Sequence, residues 1–190
     1  MNIVVYCSST DGLDSKYEDT AVSAGKIIGI RRCSLLYGGV KAGMMHITAD
    51  NAAKNGAEDI IGVIPAVFSH RGDELLTEKI LTRDLNERKA VMIDKGDIFV
   101  VLPGGLGTID EWISTLSHFK VNKINKPIII ANINGVFDAQ IAQLENTAES
   151  VFTASADYMK GQIVCNTAEE LENALNNCID NLISENISVQ

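Results

Sequence analysis

Short apolar runs alternate along this chain with longer stretches in which apolar residues recur every three or four positions. The first kind suits strands buried on both faces, the second helices that bury one stripe. Runs at residues 2–7 (with Ile3-Val4-Val5), 34–37, 60–64, 97–102 and 127–131 predict buried strands, and shorter ones are expected at 79–82 and 162–164. Between them, helical spacing predicts a helix over 16–31 with Tyr17, Ala21, Ala24 and Ile28 inward. Others follow over about 43–53, 85–95, from 109 through Phe119, over 137–152 and over 168–183. Residues 67–78 are the least regular part.

Strands and helices in strict alternation predict an α/β fold: a doubly wound, mostly parallel, Rossmann-like sheet with helices on both faces and right-handed crossovers. With 190 residues, one domain over 1–190 is expected, with no internal repeat or linker. Ligands of such sheets bind beyond the carboxyl ends of the strands, where the strand order switches. Three turns fall at that end: Cys7-Ser8-Ser9-Thr10, Gly38 through Gly43, and Gly104 through Thr108. Small hydroxyl residues such as Ser8 suit a ligand loop there, and equally a plain turn.

The last of these turns is the most informative. Pro103-Gly104-Gly105-Leu106-Gly107-Thr108-Ile109-Asp110-Glu111 joins a buried strand to a helix whose stripe is Ile109, Trp112, Ile113, Leu116 and Phe119. Glycines leave backbone N–H groups open to a ligand, and a helix N-terminus attracts anions, phosphate above all. Thr108-x-x-Glu111 also matches a capping box, as do Ser15-x-x-Glu18 and Thr167-x-x-Glu170. Only the copy at Glu111 follows a glycine loop, and that context favours a functional carboxylate. The turn lacks the lysine of a nucleoside-triphosphatase loop and does not follow the first strand as a dinucleotide fingerprint would. A phosphate-bearing ligand smaller than a dinucleotide, held without metal or cofactor, fits better. Upstream, Leu85, Arg88 and Met92 share one helix face. Spacing leaves open whether Arg88 snorkels from a buried face or reaches into a pocket.

Charge and cysteine usage narrow the partners. The net charge of −9 argues against nucleic acid and against an anionic membrane surface. The four cysteines form no C-x-x-C pair, which reads as reduced thiols of a cytoplasmic protein. No stretch is long enough to span a bilayer or serve as a signal peptide. His46, His70 and His118 are unclustered, so no metal is expected.

Pro103 through Glu111 reads P-G-G-x-G-T-x-x-E, and Arg88-Lys89-x-x-Met92 lies upstream. Together with Tyr37-Gly38-Gly39 and Gly43-Met44-Met45, these residues resemble the LONELY GUY family of cytokinin riboside 5′-monophosphate phosphoribohydrolases, labelled in older records as possible lysine decarboxylases. The similarity runs from residue 2 to about residue 140. It implies hydrolysis of the N-glycosidic bond of a nucleoside 5′-monophosphate, AMP or a cytokinin riboside monophosphate, to the free base and ribose 5-phosphate. It implies Glu111 and Arg88 as catalytic residues, and Gly104, Gly105, Gly107 and Thr108 around the phosphate. Lys89 and Met92 would line the pocket, with Gly38, Gly39 and Ser8 nearby, in a homodimer with the site near the interface. Asn86 stands where the family usually has histidine, and Val40 replaces a third glycine, adding bulk beside the ligand loop.

The chemistry suits these residue types. Cleaving a ribosyl bond builds positive charge at the anomeric carbon, which a fixed carboxylate stabilises while orienting water. A helix N-terminus favours ionised Glu111, so an anionic role is expected. Arg88 would anchor phosphate or ribose oxygens through its fork. Asp110 reads as a first-turn charge, Trp112 as core, dimer contact or base platform, and Cys7 as a buried thiol. The main rival is a non-catalytic carrier of a phosphorylated ligand: molybdenum-cofactor carriers share this fold and similar glycine loops. A lysine decarboxylase would need a Schiff-base lysine and a pyridoxal phosphate site, and no lysine here lies in such a motif. A regulatory nucleotide sensor is a third reading.

Overall fold

The computed structural model describes residues 1–148 and 161–188. Seven strands form one parallel sheet in the order β4-β3-β2-β1-β5-β6-β7. They are β1 (Asn2–Tyr6), β2 (Ser34–Tyr37), β3 (Ile60–Pro65), β4 (Glu78–Thr82), β5 (Ile98–Val101), β6 (Ile128–Ala131) and β7 (Gln162–Cys165). The helices are α1 (Ser15–Ile30), α2 (Gly43–Lys54), α3 (Leu85–Lys95), α4 (Leu106–Asn122), α5 (Asp138–Ala148) and α6 (Ala168–Ser188). The expected helix over 137–152 thus begins at Asp138, and the part beyond Ala148 lies outside the described residues. The irregular stretch after β3 holds a 3-10 turn, Ala66–Arg71.

The two-residue period of each strand explains the two-sided core. In β1, Ile3 and Val5 face α1, α2 and α6, whereas Val4 and Tyr6 face α3 and α4. In β5, Ile98 and Val100 join the first layer, Phe99 and Val101 the second. Trp112 is fully buried in the second layer, edge-on to Phe137, and its Nε1–H donates to Gln162 Oε1 at 2.9 Å. It is therefore core, unable to stack on a ligand.

α1 and α2 lie unusually close. A Cβ on Gly25 would sit 2.4 Å from the Thr48 carbonyl oxygen, and one on Gly29 2.6 Å from that of Ala52. The Gly25-x-x-x-Gly29 spacing puts both glycines on one face of α1 and lets the backbones touch.

β1 sits centrally, with β2 on one side and β5 on the other. The chain leaving β1 crosses over one face of the sheet through α1, and the chain leaving β5 crosses the other through α4. The two loops diverge at the strands' carboxyl ends and open a crevice there, the position where ligands bind in folds of this kind. The Ser8 N–H donates to the Pro103 carbonyl at 3.2 Å and ties the loops together at its floor.

Candidate active site

The crevice holds a cavity of about 290 Å³ lined by Cys7, Ser8, Ser9, Thr10, Met45, Arg88, Gly105, Gly107, Thr108 and Glu111. Its wall at α4 starts from the glycine turn. α4 begins at Leu106, three residues before the expected Ile109, with Gly105 as an N-cap that supplies no side-chain bond. The expected capping box at Thr108 and Glu111 is accordingly not formed, because both residues lie inside the helix. At the other two copies of the pattern, Asp14 caps α1 in place of Ser15, whereas Thr167 Oγ1 does accept from the Glu170 N–H at 3.1 Å.

The glycines of the turn do different work. A Cβ on Gly105 or Gly107 would meet nothing within 4 Å, so both open onto free space beside uncapped amides. A Cβ on Gly104 would sit 2.1 Å from Thr108 Oγ1, so Gly104 makes room for Thr108. The N-terminus of α2 beside the crevice is already engaged: Gly43, which opens α2, donates its N–H to Asp11 Oδ1 at 2.7 Å. An incoming anion therefore finds free amides at α4.

Glu111 is almost fully buried, and its Oε1 accepts from Arg88 Nη2 at 2.5 Å. Arg88 thus reaches from α3 into the crevice, which decides between the two readings of its spacing. Its Nε–H is buried without a hydrogen-bond partner. Burial pushes the Glu111 carboxyl up to about 7, with the Arg88 guanidinium pulling it back down. This corrects the expectation drawn from the helix N-terminus: Glu111 sits a turn inside α4, where loss of water outweighs the helix dipole. Gly38 belongs to this arrangement, since a Cβ there would lie 2.8 Å from Arg88 Nη2 and 2.9 Å from the Met45 methyl.

Other expected residues lie elsewhere. Met92 is fully buried in the core under the sheet, because the apolar stripe of α3 faces inward. Lys89 Nζ donates to both carboxylate oxygens of Asp110, at 2.9 and 2.8 Å, outside the cavity lining. Asp110 is therefore a partner of Lys89 as well as an early-helix charge. Gly39, at φ +70°, packs against Ile64 and Gly62 of β3. Val40 pairs with Gly72 and packs on the core, so its bulk is turned away from the cavity. Asn86 is exposed, its N–H held by Asp84 Oδ1 at 2.9 Å.

The lining takes in the whole Cys7-Ser8-Ser9-Thr10 turn expected at this end, and Met45 in the first turn of α2. Their common signal is position in the loop after β1 or at the start of the helix after β2, at the same end of the sheet. The Cys7 thiol is pushed well above the usual thiol range by burial, and it is an inert wall. His46 pairs through Nδ1 with buried Asp73 at 2.8 Å. Among the described residues, no group of three His, Cys, Asp or Glu side chains is placed to hold a metal ion.

A parallel Rossmann-like sheet with open amides at one helix start, facing a buried Arg–Glu pair, offers a small anionic ligand a place at its switch point. Sequence comparison takes the assignment further. The family model described as "Possible lysine decarboxylase" matches residues 45–175. A cytokinin riboside 5′-monophosphate phosphoribohydrolase of Rhodococcoides fascians is 33% identical over 174 residues, covering 88% of this chain and 85% of that protein. A probable enzyme of the same name from Oryza sativa subsp. japonica is 32% identical over 152 residues, and the match spans 79% of this chain and 60% of that longer protein. The chain belongs to this family, the LONELY GUY phosphoribohydrolases carrying the older lysine decarboxylase label. Among solved structures, the molybdenum cofactor binding protein from the phototrophic bacterium Rippkaea orientalis is similar in fold, with a TM-score of 0.73 at 21% identity, covering 94% of this chain and 96% of that one.

Proposed function

We propose that this protein hydrolyses the N-glycosidic bond of a nucleoside 5′-monophosphate, AMP or a cytokinin riboside monophosphate, releasing the free base and ribose 5-phosphate. The observation that carries the reading is the buried Arg88–Glu111 pair beside the open amides of Gly105 and Gly107. Those amides and Thr108 receive the phosphate at the start of α4, with Ser8 on the opposite wall. The ribose then spans toward Glu111. Its carboxylate stabilises positive charge at the anomeric carbon and takes a proton from the attacking water. The water oxygen bonds to that carbon, and the electrons of the broken C–N bond leave with the base, which takes up a proton from solvent as Glu111 returns its own to solvent. Arg88 exchanges Glu111 for ligand oxygens through its fork.

Relatives with this activity by name support the substrate class. A carrier that performs no chemistry would need no carboxylate buried against that arginine, which favours the enzyme. The protein works as a homodimer in the cytoplasm on this reading, and one domain carries the whole site. The exposed apolar side chains Leu106 and Val121 along α4 suit a contact with a second copy close to the site. Incubation with AMP and other nucleoside monophosphates, followed by chromatography for free base, tests the proposal. Adenine and ribose 5-phosphate in equal amounts are expected. Tight nucleotide binding with no base released would instead establish a carrier.

A further inference from the structure

Two ion pairs join α3 to α4 through adjacent residues on each helix: Arg88 to Glu111 and Lys89 to Asp110. They form two neighbouring rungs. The half of α3 that carries them has few apolar anchors. From Leu85 to Val91 no apolar side chain is fully buried, Leu85 is 51% exposed and Val91 is half-buried; the buried apolar anchors of α3, Met92 and Ile93, come a turn later. Where Arg88 exchanges Glu111 for ligand oxygens, as proposed above, the first rung opens. The second rung can stay closed. Lys89 is 17% exposed and chelates Asp110 with both carboxylate oxygens, outside the cavity lining.

Resting on the activity proposed above, we infer that Lys89 and Asp110 are a positioning pair: they keep the first turns of α3 docked on α4, so that Arg88 meets Glu111 and ligand in register. Neither touches the substrate. This separates Lys89 from a ligand-contacting role, in which its ammonium would face phosphate. The pair acts through geometry, because a shift of about 1 Å at reacting groups costs on the order of a hundredfold in rate.

The test uses Lys89→Gln, Asp110→Asn, the double variant, and the swapped pair Lys89→Asp/Asp110→Lys in the full chain. With AMP, each single variant should lower kcat by about tenfold or more. Any loss of ribose 5-phosphate affinity as Arg88 shifts should be equal in the two single variants, and the double variant should lose no more than either single one. The swapped pair should recover most of kcat. A Lys89→Gln variant that raises KM tenfold, with Asp110→Asn harmless and no rescue by the swap, would make Lys89 a ligand contact and overturn the inference.

A second readout does not need turnover: the carboxyl ¹³C resonance of Glu111 followed through a pH titration. Arg88 from α3 faces this carboxyl, with Tyr6 at the end of β1 and Cys7 just after it alongside. Lys89 and Asp110 act on it directly with opposite signs, so neutralising both leaves the position of Arg88 as the main variable. The Glu111 midpoint should rise in the double variant as Arg88 drifts off, and an unchanged midpoint would refute the inference. Should the wild-type protein cleave no nucleotide, the activity proposal fails alone, and this titration still decides whether the pair positions Arg88.

Discussion

Two forces meet at Glu111: burial disfavours its charge, and the guanidinium of Arg88 favours it. Its carboxyl is held near 7, so the ionised form that the proposed reaction needs beside a cationic sugar is gained as pH rises. For the free enzyme, kcat/KM should climb through a midpoint near 7, and a profile flat down to pH 5 would remove Glu111 from the reaction. The sign for stability runs the other way. A folded-state value raised above the usual 4.5 means the contribution is full below that pH and fades as pH climbs through about 7. Glu111→Gln should therefore abolish turnover, by roughly 10²–10⁴-fold, without lowering the melting temperature at pH 8. Gly38→Ala tests the other partner. Its methyl would press on Arg88 Nη2 and Met45, so activity should fall at least tenfold by about the measure of a displaced catalytic group, with the fold intact by circular dichroism. Gly107→Ala should leave stability nearly unchanged, since open space surrounds it, and should weaken ribose 5-phosphate binding by calorimetry.

At the scale of elements, α4 and the α1–α2 contact show where pattern was enough and where it was not. The strands announced themselves as β-rich apolar runs, and the stripe of α4 was readable from Trp112 to Phe119. The start of α4 was not. Thr-x-x-Glu is a helix-start signal of real strength, but the two residues before it, Leu106 and Gly107, are also helical, and the helix starts at Leu106. The close approach of α1 and α2 through Gly25 and Gly29 depends on two helices meeting, which spacing within one of them leaves open. Gly25→Ala should destabilise the protein by about 1–3 kcal/mol, read from chemical denaturation, because its methyl would strike the Thr48 carbonyl at 2.4 Å.

For the molecule as a whole, the strand order brings residues from four parts of the chain to one crevice: the β1 loop, the start of α2, α3 and α4. Assembly adds a further level. Leu106 and Val121 are exposed apolar side chains on one helix, and light scattering should return a dimer mass at micromolar concentration. Replacing Val121 by a charged residue should shift that mass toward the monomer.

From the amino-acid order alone followed the strands, the helices, the parallel architecture and the turn at Pro103–Glu111, because each rests on local periodicity or on backbone freedom at glycine. Arg88 and Glu111 could be named as a pair from their motifs, yet not joined, since 23 residues separate them and only the packing of α3 on α4 closes that gap. The same packing removed Met92 to the core, gave Lys89 to Asp110 and turned Val40 away from the cavity. The charge state of Glu111 was likewise decided in three dimensions. A helix start is a local feature, but desolvation is the sum of everything that surrounds a side chain, and that sum exists only once the chain has folded.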